Sequence, residues 1–299
     1  MNSAGLKGLN HYCLERSNLS ETIRRDGGRC VRLSRLVGRN GHEVEAARVR
    51  RAWDRAADRW EEFVETGLDY ARLEVHGPAL LKACGRVRGL RVLDVGCGQG
   101  YFSRLLAERG ASVVGIDVSP RMIAHAKMHE EKQPLGIEYR VMDARKIGNV
   151  WTPGSFDLIT ACMSLDDMPR PDRVIQSASR ILADEGGIAF SVVHSLSPHN
   201  SWRTDKTGVI MVRLDDYFEK GSEVVRWDMP RLKHHWSTIG FRFTISDWSR
   251  MADESGFSVE RIYEPRPSLS QVGKHPELRI CYRLPFFLVF RLGKRQETR

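Results

Sequence analysis

The chain has 299 residues, 41% hydrophobic and 28% charged, which suits a soluble globular protein with room for a substantial core. Its net charge of +9 raises nucleic acid as a partner, but the charge sits at the ends. Residues 1–40 carry +5 and the last nine carry +3, which leaves +1 for the 250 residues between and argues against an extended nucleic-acid surface.

Residues 1–40 are polar and Gly-spotted, lack the apolar stretch of a secretory signal, and read as a basic, flexible extension. From Glu43 to Leu68 the pattern turns helical, with Val49, Trp53, Ala56, Trp60 and Val64 at three- and four-residue steps. A second helical stretch is expected over Tyr70 to Cys84, with a break at Gly77-Pro78. The texture then changes to short apolar strands alternating with amphipathic helices. Strands are expected at Arg91 to Val95, Ser112 to Asp117, Ile137 to Met142, Phe156 to Cys162 and Gly187 to His194. The helices between them are Tyr101 to Arg109, Ser119 to Glu131 and Pro171 to Ala183. That rhythm implies an α/β fold with a parallel sheet covered on both faces. It breaks over 195–243, a Trp-, Tyr- and His-rich insertion, and resumes with a helix at Ser246 to Glu254 and strands at Ser258 to Tyr263 and Leu284 to Phe290. No stretch approaches the roughly 20 apolar residues of a membrane span. The six cysteines (Cys13, Cys30, Cys84, Cys97, Cys162, Cys281) show no paired spacing, which points to a reducing, cytoplasmic setting.

The strongest chemical signal is the strand Val92-Leu-Asp94-Val running into Gly96-Cys97-Gly98-Gln-Gly100. Alternating glycines let the backbone turn sharply and approach a ligand, and the helix that follows offers free N–H groups to an anion. Asp117 closes the second strand, where a carboxylate can accept both hydroxyls of a ribose. Asp143 closes the third, where a carboxylate or nearby backbone can read an adenine amino group. These features alone fit any nucleotide-binding turn of this class.

The spacing Asp-x-Gly-x-Gly-x-Gly over 94–100 resembles the first motif of class I S-adenosylmethionine-dependent methyltransferases, of the branch that acts on small molecules. The resemblance extends through Val113 to Ser119, Phe156 to Ile159 and Ala178 to Gly187, and covers about residues 50–290. It implies a Rossmann-like, seven-stranded sheet with an N-terminal helical lid. The division it implies is a methyltransferase domain over 41–299: lid 41–88, donor-binding core 89–194, substrate-side insertion 195–243, and final helix and strands 244–299. The donor is S-adenosylmethionine, no metal is expected, and the acceptor atom (oxygen, nitrogen or carbon) stays open. Gly96, Cys97, Gly98 and Gly100 would line the methionine part, with Asp94 at the motif's head. Asp117 and Val118 would take the ribose, and Met122, Asp143 and Ala144 the adenine. Cys162 and Met163 would border the methionine from the other side. Arg72 would hold the donor carboxylate, its alternative being a solvated helix arginine.

A general base is expected where the acceptor carries a proton. His194, at a strand end, is the best-placed candidate, ahead of His199, His234 and His235; a structural histidine is the competing reading. Members of the family often carry His-Pro here and His-Arg-Thr before the last helix, where this chain has His194-Ser195 and Arg242-Phe243-Thr244. Asp166 and Asp167, after the fourth strand, could orient a hydroxyl or amine, or sit in a solvated loop. Trp53, Trp60 and Tyr70 read as core or lid, and Trp202, Tyr217, Trp227 and Trp236 as substrate walls. The aromatic insertion suggests an apolar, aromatic or quinone-like substrate. Two alternatives are an RNA methyltransferase using the basic arm, and a donor-binding regulatory protein without turnover.

Overall fold

The computed structural model describes residues 39–196, 202–204, 210–212, 217–218, 220–229 and 231–295. The expected extension lies outside these, apart from its last two positions, which open the first helix. The chain begins with α1 (Arg39–Glu65), a five-residue π-helical turn (Arg72–His76) and α2 (Gly77–Cys84). Then come β1 (Arg91–Val95), α3 (Tyr101–Ala107), β2 (Ser112–Asp117), α4 (Pro120–Lys132) and β3 (Glu138–Val141). They are followed by β4 (Phe156–Cys162), α5 (Pro171–Ile181) and β5 (Leu182–Val193). Two hairpins follow, β6 (Trp202–Thr204) with β7 (Ile210–Val212) and β8 (Gly221–Met229) with β9 (His234–Arg242). The chain closes with α6 (Ile245–Glu254), β10 (Phe257–Tyr263), α7 (Leu269–Lys274), α8 (Arg279–Arg283) and β11 (Phe287–Lys294).

Seven strands form the central sheet in the order β10-β11-β5-β4-β1-β2-β3. The five strands β3-β2-β1-β4-β5 run parallel, and β11 lies antiparallel between β5 and β10. Side chains alternate along β1, so the strand feeds two cores. Leu93 and Val95 pack with α5 and α6 on one face, through Ile175 and Trp248. Val92 packs on the other face with Leu80 of α2, Leu106 of α3 and Ile123 of α4. Each such side chain contributes about 1.5–3 kcal/mol on burial, and burial on both faces is why these strands read as unbroken apolar runs. From β1 the chain moves outward to β2 and β3, then returns to β4 on the other side of β1. The carboxyl ends of β1 and β4 therefore flank a crevice.

The crevice has a roof of two parts far apart in sequence. The apolar stripe of α1 lies on the β8–β9 hairpin: Val49 and Ala52 meet Ile239 and Phe241, and Ala56 and Phe63 meet Met229 and Trp236. Its polar face is tied to α4. Ser119 Oγ donates to Asp54 at 2.8 Å, and His125 and His129 pair with Asp58 and Glu61 at 3.0 and 2.6 Å. The β8–β9 hairpin thus meets the N-terminal helix instead of extending the central sheet. Among the described residues no helix is long and apolar enough to cross a membrane.

Among the element boundaries that differ from the sequence reading are two strand starts. The last strand starts at Phe287, not Leu284, because Pro285 has no N–H to give the ladder and the α8 segment runs to Arg283. The fifth starts at Leu182, pairing with Phe156 across an irregularity before Gly187 joins Leu158. Gly100, the N-cap of α3, has φ +86°, and a Cβ there would come within 2.4 Å of Tyr139 Oη. Gly100→Ala is therefore expected to cost about 1–3 kcal/mol for the backbone alone, read as a lowered urea midpoint; an unchanged midpoint would show that the turn can relax around a side chain.

Candidate active site

β1 ends in a turn whose three glycines all take positive φ: Gly96 at 68°, Gly98 at 56° and Gly100 at 86°. Gly96 and Cys97 both donate their N–H to Ile116 O, at 2.8 and 2.9 Å, so the turn folds back over β2. Asp117 at the end of β2 completes the join. One oxygen accepts the Gly98 N–H at 3.0 Å and the other the Ser119 N–H at 2.8 Å. Burial pushes its carboxyl above the ordinary range, against the backbone N–H groups of Ser119, Gly98 and Val118, which only partly offset it. A Cβ at Gly98 would meet no protein atom within 4 Å, so this side of the turn faces open space.

Asp94 sits beneath the turn and is fully buried. It accepts from Ser103 Oγ at 2.6 Å and from Thr160 Oγ1 at 2.8 Å, bracing β1 against α3 and β4. Burial raises its carboxyl to about 6 against those two hydroxyls.

A cavity of about 1790 Å³, counting the space open at its mouth, runs from this turn across the crevice to the roof. It brings together Arg72, Asp94, Gly96, Cys97, Gly98, Asp117, Val118, Met122, Asp143, Ala144, Cys162, Met163, Asp166 and Asp167. Gly100 lies outside it, packed against Tyr139. Asp143 caps the short turn Ala144–Asn149 and is clamped at 2.6 Å by Arg145, which also reaches Glu43 of α1. Burial works against its charged form, yet the Arg145 guanidinium holds its carboxyl below the usual range. Arg72 is not a solvated helix arginine: it is 6% exposed, 3.4 Å from Asp69, and its guanidinium lies 4.4 Å from the Tyr101 ring centre.

His194 corrects the sequence reading. Its side chain is 1% exposed, it does not line the cavity, and both ring nitrogens are engaged. Nε2 pairs with Glu264 at 2.9 Å and Nδ1 accepts the Leu196 N–H at 3.0 Å. It pins the end of β5 to the segment after β10. His234 pairs with Glu62 at 2.9 Å and His235 is exposed on β9; neither lines the cavity, and His199 falls outside the described residues.

The two aspartates fare differently. They form a single tight turn, Leu165–Asp167, at the end of β4. Asp166 accepts the Val193 N–H at 3.0 Å. Asp167 takes a hydrogen bond from Trp53, and burial together with the Asp166 charge holds its carboxyl well above the ordinary range. Above them Trp53, Trp60 and Trp227 line the cavity in edge-on contact, with ring centres 5.4 and 5.2 Å apart. Trp236 lies behind Trp227, stacked at 6.0 Å. Tyr70 is turned away onto His275, Tyr217 does not line the cavity, and the side chain of Trp202 lies outside the described set.

Sequence reasoning missed His76 and Asp69, both buried in the cavity wall. Their signal was spacing: Asp69, Arg72 and His76 fall three and four residues apart, on the stripe that a core-facing helix fills with apolar residues. Burial pushes the His76 imidazole down to about 4.

Residues 47–262 match the family model described as a methyltransferase domain. A ubiquinone biosynthesis O-methyltransferase of Pseudomonas fluorescens is 30% identical over 174 residues, 58% of this chain and 67% of the relative. An S-adenosylmethionine-dependent methyltransferase from Mesorhizobium loti superposes with a TM-score of 0.61 at 29% identity, covering 73% of this chain and 96% of that one. The fold also matches a Burkholderia thailandensis 1,6-didemethyltoxoflavin-N1-methyltransferase crystallised with S-adenosylhomocysteine (TM-score 0.54, 14% identity, 85% of this chain and 91% of that one).

The Asp94 clasp makes a pH prediction with a definite sign. Its folded-state pKa lies above the unfolded value of 3.8, so its contribution is fully present below about pH 4 and is lost as pH rises through 6. Between pH 4 and 8 the unmodified protein should lose up to about 3 kcal/mol of unfolding free energy relative to Asp94→Asn. Parallel pH profiles for the two proteins would contradict that burial.

Proposed function

The chain belongs to the methyltransferase-domain family, and from that premise we propose that it methylates the hydroxyl group of a small aromatic or quinol-like molecule. It is an S-adenosylmethionine-dependent methyltransferase. The observation that carries the substrate reading is a single cavity joining the glycine turn and Asp117 at one end to an aromatic roof and the Asp167 carboxyl at the other. The O-methyltransferase relatives support a hydroxyl acceptor.

The residues present suit the donor. The open side of Gly98 admits a ligand against the backbone, and Asp117 accepts the ribose hydroxyls, each charge-assisted bond worth roughly 1.5–3 kcal/mol. Val118 and Met122 border the adenine with Asp143 and Ala144. Gly96, Cys97, Cys162 and Met163 flank the methionine, and Arg72 takes its carboxylate. Asp94 acts through the turn it braces. When bound, the donor supplies a methyl group already activated by a sulfonium, so the protein's work is alignment, dehydration and proton removal.

Trp53, Trp227 and Phe241 wall the acceptor end and exclude water from it. Holding the acceptor in line accounts for on the order of 7–11 kcal/mol of barrier reduction. Asp167, in its carboxylate form, takes the hydroxyl proton as the oxygen–methyl bond forms. Its raised pKa makes it a stronger base than an exposed carboxylate and makes the rate climb as pH passes through that value. Asp166 holds the end of β5 and tunes its neighbour by charge. The near-neutral body favours a small molecule over nucleic acid as partner, and the reduced thiols of Cys84, Cys97, Cys162 and Cys281 fit a cytoplasmic site of action.

The test is incubation with S-adenosylmethionine and a panel of catechols, hydroquinols, amines and RNA, with products read by mass spectrometry. Methyl ethers of the ring hydroxyls are expected; methylated amines or RNA alone would overturn the reading. Asp167→Asn should slow turnover about 10²–10⁴-fold while S-adenosylhomocysteine affinity holds. A retained rate would remove Asp167 from the chemistry.

A further inference from the structure

The wall of the cavity nearest α2 holds three buried ionisable side chains, two of which have a nitrogen without a hydrogen bond. Asp69, Arg72 and His76 are 3%, 6% and 3% exposed. Burying polar groups is costly unless each finds a partner. Asp69 Oδ1 accepts the Arg72 N–H at 3.1 Å, but Arg72 Nε and His76 Nδ1 make no hydrogen bond. The His76 ring leans on Phe287, 4.7 Å between ring centres, and Arg72 is held over Tyr101 and Trp60.

The backbone that carries them is locally irregular. The Gly77 N–H donates to Arg72 O, five residues back, which widens the helix into a single π turn. A Cβ at Gly77 would stand 2.4 Å from that oxygen, so a side chain at this position opposes the turn. Such turns are rare and recur at functional sites. Arg72 and His76, four apart and so on one helix face, both line the cavity along this turn. The set is one anion, one permanent cation and one imidazole. Burial leaves that imidazole uncharged at neutral pH, so its ring can accept a hydrogen bond without a second cation beside Arg72.

We propose that His76, together with Asp69, accepts the hydrogen bonds of the methyl donor's α-ammonium group while Arg72 takes the adjacent carboxylate. The inference rests on the assignment of Arg72 to the donor carboxylate. Adenine and ribose offer no such pairing of charges; the amino-acid end of the donor does. His76 is in this account a donor-binding residue and takes no part in the proton transfer assigned to Asp167.

The experiment measures four ligands by calorimetry: S-adenosylhomocysteine, its decarboxylated analogue, its desamino analogue, and methylthioadenosine, which lacks the amino-acid end. His76→Phe should weaken the first two, which carry the ammonium, by about 10-fold or more, the size expected for a hydrogen bond to a charged group. The desamino analogue and methylthioadenosine should bind within about twofold of the unmodified protein, which also shows that the variant is folded. Equal losses on all four ligands, a loss that follows the carboxylate, or no loss would each overturn the proposal. His76→Gln, which keeps an acceptor, should recover part of the affinity. In the unmodified protein the ¹⁵N resonances of the His76 ring should move with the ammonium-bearing ligands and stay put with the other two; the reverse pattern overturns the assignment without any variant. Failure of Arg72→Ala to weaken binding of the desamino analogue, which keeps the carboxylate, would instead fault the Arg72 assignment.

Discussion

One carboxylate joins the two halves of the glycine-turn notch. Asp117 accepts an N–H from Gly98 on one side and from Ser119 on the other, so the turn after β1 and the start of α4 are held to the end of β2. Glycine backbone in the left-handed region would otherwise lose much conformational freedom on folding. Two donors on a buried carboxylate supply the compensation, and Asp94 stiffens the strand just below. The outcome is a rigid notch at the crevice where the strand order reverses, which is where ligands enter open α/β sheets.

The roof is built by a different rule. α1 and the β8–β9 hairpin are far apart in sequence and meet through apolar side chains. The helix is anchored to the core at the opposite edge by imidazole–carboxylate and hydroxyl contacts from α4. Ser119 serves both structures: its N–H binds Asp117 in the notch and its hydroxyl binds Asp54 of the roof. A tilt of α1 therefore bears on the glycine-turn notch as well as on Trp53 and Trp60 in the cavity roof.

This division explains what could be read from residues alone. The β1 turn, Asp117 and Asp143 are local: spacing and strand periodicity locate them because their neighbours in space are nearly their neighbours in sequence. His194 and His76 are not local. Glu264, 70 residues away, makes His194 a structural pin, and no sequence spacing reports that pairing. His76 shares a helix face with Asp69 and Arg72, which spacing can show, but that this face borders a cavity rather than the core is a tertiary fact that spacing does not report. Trp53 and Trp60 resisted a choice between core and wall for a physical reason: each packs in the α1–hairpin cluster and also lines the cavity. The insertion's composition announced an aromatic surface, but only the folded arrangement shows that Trp227 lines the cavity while its cross-strand partner Trp236 stacks behind it.

The account stands on the adenosyl donor entering the notch closed by Asp117. Titration calorimetry of S-adenosylhomocysteine into the unmodified protein and into Asp117→Ala tests this most directly. One site per chain is expected, with affinity falling at least about 10-fold in the variant, as the loss of charge-assisted bonds requires. No heat from the folded unmodified protein, or equal affinity in the two, would contradict it.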